Sequence, residues 1–259
     1  ITLIGVLIFS TLIGILTTSI NKIILELKKG RSLIFEKNHT LILGWNKKVL
    51  SIVSELIIAF NQYDGKYSIV ILGNEDKVIM DDQIRDQIGS TGNTNVICRH
   101  GISSEVSDLK IANLSKAKSI IIVPNEEPYA DIQTIKSLLS LINFSEKFKP
   151  LNIVSSAHYI DDANLLKRIG GDKINVILSN EVIAKIIAQT CRQPGLSLVY
   201  SEILSFNGKS YYKDISGPWY DDASGDEIYF QYVEELVGKS YYESQISFDT
   251  STAIGVFNK

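Results

Sequence analysis

The sequence predicts an α/β fold: a Rossmann-like, doubly wound parallel sheet, preceded by the end of a transmembrane helix and followed by a small α+β lobe. Three observations lead to this prediction. The first 21 of the 259 residues carry no charge, six short runs are rich in Ile and Val, and a helical pattern follows each run. Strands that alternate with helices indicate βαβ units, and continuous apolar strands indicate a sheet covered on both faces.

The N-terminal segment is predicted to lie in a membrane. A helix of 21 uncharged residues reaches about 30 Å, the thickness of a bilayer core. The cationic residues that follow favour a cytoplasmic location for residues 22–259; they are Lys22, Lys28, Lys29 and Arg31. We therefore expect residues 1–21 to contact lipid and residues 22–38 to form a linker. A signal peptide would need a basic start and a cleavage site, and neither is present; a buried core helix is the remaining alternative.

Residues 39–180 are predicted to form the Rossmann-like domain. The expected strands are HTLILGW from His39, YSIVILG from Tyr67, NVICRHG from Asn95, SIIIVPN from Ser119, LNIVSSAH from Leu151 and INVILS from Ile174. Each run is short, rich in β-branched residues and followed by a longer helical pattern, which is typical of a strand in a parallel sheet.

The turn after the first strand is a degenerate dinucleotide-binding motif. The strand ends at Gly44 and a helix is expected to begin near Asn46, where such folds hold a pyrophosphate. A complete G-x-G-x-x-G motif would have glycines at 44, 46 and 49, but the sequence has Asn46 and Val49. The Asn46 side chain should intrude where the backbone would approach a phosphate, and the Val49 side chain should intrude where the helix would pack on the strand. NAD binding is therefore disfavoured. Asn46 suits a helix N-cap instead.

Other polar residues follow the second and third strands. Glu75 or Asp76 lies where a ribose-binding carboxylate would be, and Arg99 and His100 end the third strand. Because the carboxyl ends of parallel strands meet at one edge, these four residues and Gly44, Trp45 and Asn46 define a candidate ligand crevice. Solvated loop acids and a loop histidine are the alternative interpretation.

No set of residues indicates catalysis, and we predict that the chain is not an enzyme. Its three histidines, His39, His100 and His158, accompany no nucleophile and acid at an interpretable spacing. Cys98 and Cys191 cannot form a disulfide framework or a structural zinc site by themselves. The net charge of −3 does not favour binding to nucleic acid.

Residues 181–259 are predicted to form a crossover helix and an acidic lobe. The helix is EVIAKIIAQTC (181–191), and YFQYVEEL and KSYYESQISF are expected to add strands and a turn of helix. Residues 196–259 contain four lysines, no arginine and ten acidic residues. A candidate calcium site, with carboxylate ligands, consists of Asp221, Asp222, Asp226 and Glu227. A solvated acidic loop is the alternative. Because the sequence starts with Ile and stops at GVFNK, we expect further sequence on both sides.

Several blocks of sequence resemble the Castor and Pollux family of cation channels. LKKGRS followed by EKNHTLILGWNKKV is similar to the family's junction between pore helix and regulatory domain. Four further blocks are similar to parts of the family's first regulatory domain: TNVICRHG, LSKAKSIIIV, Gly-Gly-Asp at 170–172 and QPGLS near 193–197. The resemblance runs from about residue 10 to the end of the sequence.

This resemblance implies an RCK domain, which regulates K⁺ conductance, behind a pore-lining helix that ends in residues 1–21. It implies assembly with symmetry-related subunits as a homotetramer, and it suggests calcium as a regulatory ligand, as in plant members. The family keeps the reduced Gly-Trp turn, so the incomplete glycine motif is expected. A membrane-anchored NAD-dependent oxidoreductase and a soluble Trk-type nucleotide-binding regulator are the alternatives. Asn46 and Val49 disfavour the first, and the uncharged N-terminal segment disfavours the second.

Overall fold

The strands of the molecule form one parallel sheet. The computed structural model describes residues 2–28, 30–62, 64–124, 130–145, 152–206, 233–248 and 253–255. Its strands are β1 (His39–Leu43), β2 (Tyr67–Gly73), β3 (Thr94–His100), β4 (Ala117–Ile122), β5 (Asn152–Ala157) and β6 (Ile174–Leu178). All neighbours are parallel, in the order β3-β2-β1-β4-β5-β6. This is the doubly wound order, so the predicted fold class and its six strands are confirmed.

Helices cover both faces of this sheet. They are α2 (Lys47–Asn61), α3 (Lys77–Ile88), α4 (Val106–Ile111), α5 (Ala130–Ser145) and α6 (Ile160–Gly170). The other described α-helices are α1 (Thr2–Lys28), which precedes the sheet, and α7 (Ser179–Arg192), α8 (Leu196–Leu204) and α9 (Tyr241–Gln245), which follow it in the chain. On one face α2 and α3 bury Val49, Val53 and Met80 against the strands. On the other face α4, α5 and α6 form a second core that includes Leu109 and Leu138.

The spacing of buried residues explains why α2 lies where it does. Its buried side chains are Val49, Leu50, Val53 and Ile57. They recur every three to four residues and therefore share one helix face, which packs on the sheet. His39 is the first residue of β1, where the predicted strand also starts, and it is fully buried.

Helix α1 exposes large apolar side chains along its described length. These side chains are 47–67% exposed and belong to Ile8, Phe9, Leu12, Ile13, Ile15, Leu16 and Ile20. Among the described residues, no helix is both long and apolar enough to span a membrane. The membrane segment expected at residues 1–21 stays a prediction.

The C-terminal region is described only in part. Helices α7 and α8 bury none of their residues. Beyond residue 206, the described parts of YFQYVEEL and KSYYESQISF form a 3-10 turn (Glu234–Leu236) and α9, and no strand is present among the described residues there. The local reason for α9 is a capping box, in which Ser240 and Glu243 satisfy each other's backbone N–H groups.

Candidate functional site

The order of the strands reverses at the carboxyl end of β1, where ligands bind in sheets of this type. Gly44 follows β1 with a φ of +110°, and its N–H donates to the Leu72 carbonyl oxygen at 2.9 Å. On the other side the Val123 N–H donates to the Leu43 carbonyl oxygen at 2.8 Å. A Cβ on Gly44 would lie 2.2 Å from the Val123 carbonyl oxygen, so this position accommodates only glycine without movement of β4.

Asn46 joins helix α2 to the end of β4 across this switch point. Its Oδ1 accepts a hydrogen bond from the Lys48 N–H at 2.8 Å, which confirms the predicted N-cap. Its Nδ2 donates to the Pro124 carbonyl oxygen at 2.6 Å. The amide thus occupies the place where a second glycine would let backbone approach a phosphate. Val49, at the position of the third glycine, is fully buried between α2 and the sheet.

Trp45 covers the end of the neighbouring strand β2. A Cβ on Gly73 would lie 2.8 Å from the Trp45 Cβ and 2.8 Å from the Met80 Sδ. Gly73 therefore makes room for the half-buried indole. The structure brings Gly44, Trp45 and Asn46 together with the end of β2, as the sequence predicted for the crevice.

Glu75, Asp76 and His100 form a second local group beside that turn. The Asp76 Oδ1 accepts from the Val78 N–H at 2.7 Å and caps α3. The Glu75 Oε1 accepts from the Asp76 N–H at 3.0 Å, and the Glu75 carbonyl oxygen lies 2.9 Å from the His100 Nδ1. Both acids therefore have local structural roles, and His100 ties the end of β3 to the loop after β2.

Arg99 does not extend toward this crevice. Its Nε donates to the Ser32 carbonyl oxygen at 2.8 Å, and its NH1 donates to the Cys98 carbonyl oxygen at 2.8 Å. Burial lowers the pKa of Arg99, and the carboxylates of Asp81 and Glu36 oppose that shift. Successive side chains of a strand point to opposite faces, so Arg99 and His100 cannot line the same pocket. The hydrogen bond from the Arg99 Nε to the Ser32 carbonyl oxygen holds the linker instead.

This linker is fixed to the domain by contacts that were not predicted from the sequence. We name residues 30–38 the linker strip. Two N–H groups of the strip donate to the domain: Ile34 to the Ile111 carbonyl oxygen at 3.0 Å and Asn38 to the Lys116 carbonyl oxygen at 2.8 Å. Two carbonyl oxygens of the strip accept from the domain: Gly30 from the His100 N–H at 3.1 Å and Glu36 from the Asn113 Nδ2 at 3.0 Å. The Ile34 side chain is 4% exposed and belongs to the core on the α4 face. The linker strip is therefore an integral part of the domain.

A hydrogen-bonded contact between Asp131 and His158 was also not predicted from the sequence. The His158 Nδ1 lies 3.0 Å from the Asp131 Oδ1, and the His158 N–H donates to the Asp131 Oδ2 at 3.2 Å. Burial raises the pKa of Asp162, and hydrogen bonding with Asp131 raises it further. The available signal was positional, since α5 begins and β5 ends at the same edge of a parallel sheet. This pair fixes α5 to β5.

The structure describes no metal site. Among the described residues, no group of three or more His, Cys, Asp or Glu side chains could hold a metal ion. The predicted calcium ligands, Asp221, Asp222, Asp226 and Glu227, lie outside the described residues.

Comparison with known proteins confirms the predicted resemblance. Residues 180–217 match the family model described as "Castor and Pollux, part of voltage-gated ion channel". The chain is 34% identical over 210 residues to the probable ion channel POLLUX of Arabidopsis thaliana, which covers 80% of this chain and 25% of that protein. It is 31% identical over 254 residues to the ion channel POLLUX of Lotus japonicus, which covers 97% of this chain and 26% of that protein. The chain thus spans about a quarter of the length of these curated relatives.

Two solved structures show similarity to this fold. The human SLO3 gating ring aligns with a TM-score of 0.47 and 21% identity, over 69% of this chain and 30% of that one. The GsuK RCK domain aligns with a TM-score of 0.39 and 14% identity, over 57% of this chain and 27% of that one. By sequence, the chain is homologous to plant Castor and Pollux ion channels.

Proposed function

We propose that this chain is the RCK-type regulatory domain of a potassium-conducting cation channel. In this proposal, ligand binding changes the conformation of the sheet domain, and residues 22–38 transmit the change to a pore-lining segment that ends near Ile20. Residues 22–28, which the sequence assigned to the linker, continue helix α1 (Thr2–Lys28) in the structure, so the non-helical part of this connection starts after Lys28. The observation that carries the proposal is the homology to plant Castor and Pollux channels over 80% of the chain. The docking of the linker strip on the domain supports it, because a loosely attached linker would transmit little force. The proposal assigns no enzymatic activity.

The first part of the proposal is that residues 1–21 lie in a membrane, with residues 22–259 on the cytoplasmic side. The apolar side chains that α1 exposes between Ile8 and Ile20 support it, because each needs a partner that keeps it from water. The uncharged segment and its basic flank support the same orientation. The expected partners are lipid and the pore helices of neighbouring subunits.

The second part of the proposal concerns assembly. Helices α7 and α8 expose an apolar surface made of Val182, Ile183, Ile187, Val199, Ile203 and Leu204. A pore requires closed rotational symmetry, so we propose that this surface contacts a symmetry-related subunit in a homotetramer. Light scattering of the full-length channel should then give four copies per particle, and a monomer at high concentration would contradict this part.

The third part of the proposal is that calcium, rather than NAD, is the gating ligand. Four acidic residues lie within Asp221–Glu227, and carboxylates repel one another unless a cation offsets their charge. At the switch point, the Asn46 amide already binds the α2 N-terminus and the end of β4. Calorimetry should therefore detect no NAD binding in the low-micromolar range. A tenfold change in the open–closed equilibrium requires a difference of about 1.4 kcal/mol between the affinities of the two states.

Patch recordings of the full-length channel test the proposal. We expect millimolar calcium to change the open probability, and we expect the quadruple neutralisation of Asp221, Asp222, Asp226 and Glu227 to abolish that response. A matched control neutralises Glu234 and Glu235, which lie in the same lobe but outside the cluster. If calcium changes neither the current nor the melting temperature of the domain, calcium is not the ligand. If no current is obtained under any condition, the channel assignment itself is wrong.

A further inference from the structure

The contacts of the linker strip converge on one segment of the domain. Among the described residues, the hydrogen bonds that hold residues 30–38 have partners between Arg99 and Lys116. This receiving segment contains the end of β3, the loop at 101–105, α4 and the turn that follows α4. This segment therefore carries the described hydrogen bonds between the linker strip and the domain, and Gly30 also lies against Lys77 of α3.

Asp108 is the side chain that joins the parts of this segment to the linker. Its Oδ1 accepts from Arg31 NH2 at 2.7 Å, and its Oδ2 accepts from the Ile102 N–H at 2.9 Å. The residue is only 4% exposed, although it is an acid on a short surface helix. A buried carboxylate is costly unless it is paired and hydrogen-bonded, and here each oxygen has one of these partners.

The two partners of this ion pair differ in their exposure. The Arg31 side chain is 51% exposed, whereas the Asp108 side chain is 6% exposed. Arg31 can therefore leave the pair and become solvated with little rearrangement of its own. Asp108 cannot, so separation from Arg31 leaves a buried charge whose remaining side-chain partners, among the described residues, are the Ile102 N–H and the Ser107 hydroxyl.

We propose that the Arg31–Asp108 ion pair is a releasable clamp that couples the sheet domain to the linker, with Asp108 as the positioning residue. This inference rests on the proposed function, because it names the contact through which the linker is controlled. The loop at 101–105 follows β3 directly, at the carboxyl edge of the sheet. A rearrangement of that edge moves the Ile102 N–H, and through the shared carboxylate it changes the contact with Arg31.

Release of the clamp leaves the rest of the linker strip attached. Arg99 holds the Ser32 carbonyl oxygen independently of Arg31, and the Ile34 side chain stays in the core. Loss of the ion pair should therefore loosen the N-terminal part of the strip without unfolding the domain. A looser strip on an intact domain would distinguish a coupling role of the ion pair from a merely structural role.

The test uses Arg31→Gln, Asp108→Asn and the double variant in the full-length channel. Asp108→Asn keeps an oxygen for the Ile102 N–H and removes the charge that binds Arg31. Hydrogen exchange of the His100 N–H, which donates to the Gly30 carbonyl oxygen, and open probability, with calcium as the probe, are measured on the same proteins. We expect about tenfold faster exchange of this N–H in both single variants, and no further increase in the double variant. We expect the open–closed ratio to change about fivefold in each, again without addition.

Two controls make the outcome decisive. Arg31→Lys keeps the positive charge and should restore part of the coupling. Arg85→Gln removes an exposed arginine that pairs with Asp82 on α3, away from the linker, and should change neither measurement. Unchanged exchange in Arg31→Gln and Asp108→Asn, or additive effects in the double variant, would overturn the clamp. Faster exchange with an unaltered current would overturn its coupling role while leaving the channel assignment intact. If no current exists, the proposed function fails and the exchange data still decide whether the clamp exists.

Discussion

Replacement of Gly44 by alanine tests whether the switch point is as tightly packed as the geometry indicates. At a φ of +110°, a non-glycine residue carries backbone strain of about 1–3 kcal/mol. The added Cβ would also lie 2.2 Å from the Val123 carbonyl oxygen, which must move, and such overpacking costs about 1–3 kcal/mol more. We therefore expect Gly44→Ala to lower the free energy of unfolding by about 4 kcal/mol and the melting temperature by about 10 °C.

The assay is urea unfolding of the purified chain in a Trp219→Phe background, so that the fluorescence comes from Trp45, which lies next to the mutated position. Gly195→Ala is the matched control, because Gly195 also has a positive φ, of +90°, in the left-handed helical region, but has nothing within 4 Å of the position of an added Cβ. It should cost only about 1 kcal/mol, from backbone strain alone. Equal losses in the two variants would refute the argument, since they would show that contact with β4 does not require glycine at position 44.

Further predictions concern a helix cap, a histidine and the two thiols. Asn46→Ala should cost about 2 kcal/mol, because it removes an N-cap and a bond to the end of β4, whereas Asp76→Ala should cost about 1 kcal/mol for its cap alone, both by urea unfolding. Burial lowers the pKa of His39 below 6.5, so stability should be greatest above pH 6.5 and fall as the pH drops toward that lowered value; melting curves of His39→Gln should lose this dependence. Burial raises the pKa of the Cys98 thiol, so a thiol reagent should label exposed Cys191 at least about a hundredfold faster, until urea unfolds the chain.

The strands could be predicted because burial on both faces leaves a clear local record. A run such as YSIVILG predicts a strand from its own residues, because continuous apolar residues suit a strand covered by helices on both sides. The N-cap at Asn46 was also predictable, because a cap depends on a residue and the helix that directly follows it. These features require no knowledge of distant parts of the chain.

The contacts between the linker strip and the domain could not be predicted from local sequence. Arg31 and Asp108 are 77 residues apart, and nothing in the local sequence of either residue indicates the other. Asp108 in particular resembles an ordinary surface acid on a short helix. Arg99 was placed in the crevice because its position in β3 was predicted correctly but the direction of its side chain was not. Strand alternation could have separated it from His100, had the face covered by the linker been known.

The placement of β1 between β2 and β4 determines when the domain can fold during synthesis on the ribosome. The partner of His39 on the β4 side is Ala117, and the partner of Thr40 on the β2 side is Ile69. One edge of β1 can thus be paired early, while the other stays open until about 80 further residues have been made. Helix α1 precedes all of these strands in the chain, and the linker strip receives its last described partner only at Lys116. Until then the nascent chain carries an unpaired strand edge and an undocked linker strip, so aggregation competes with folding during this interval.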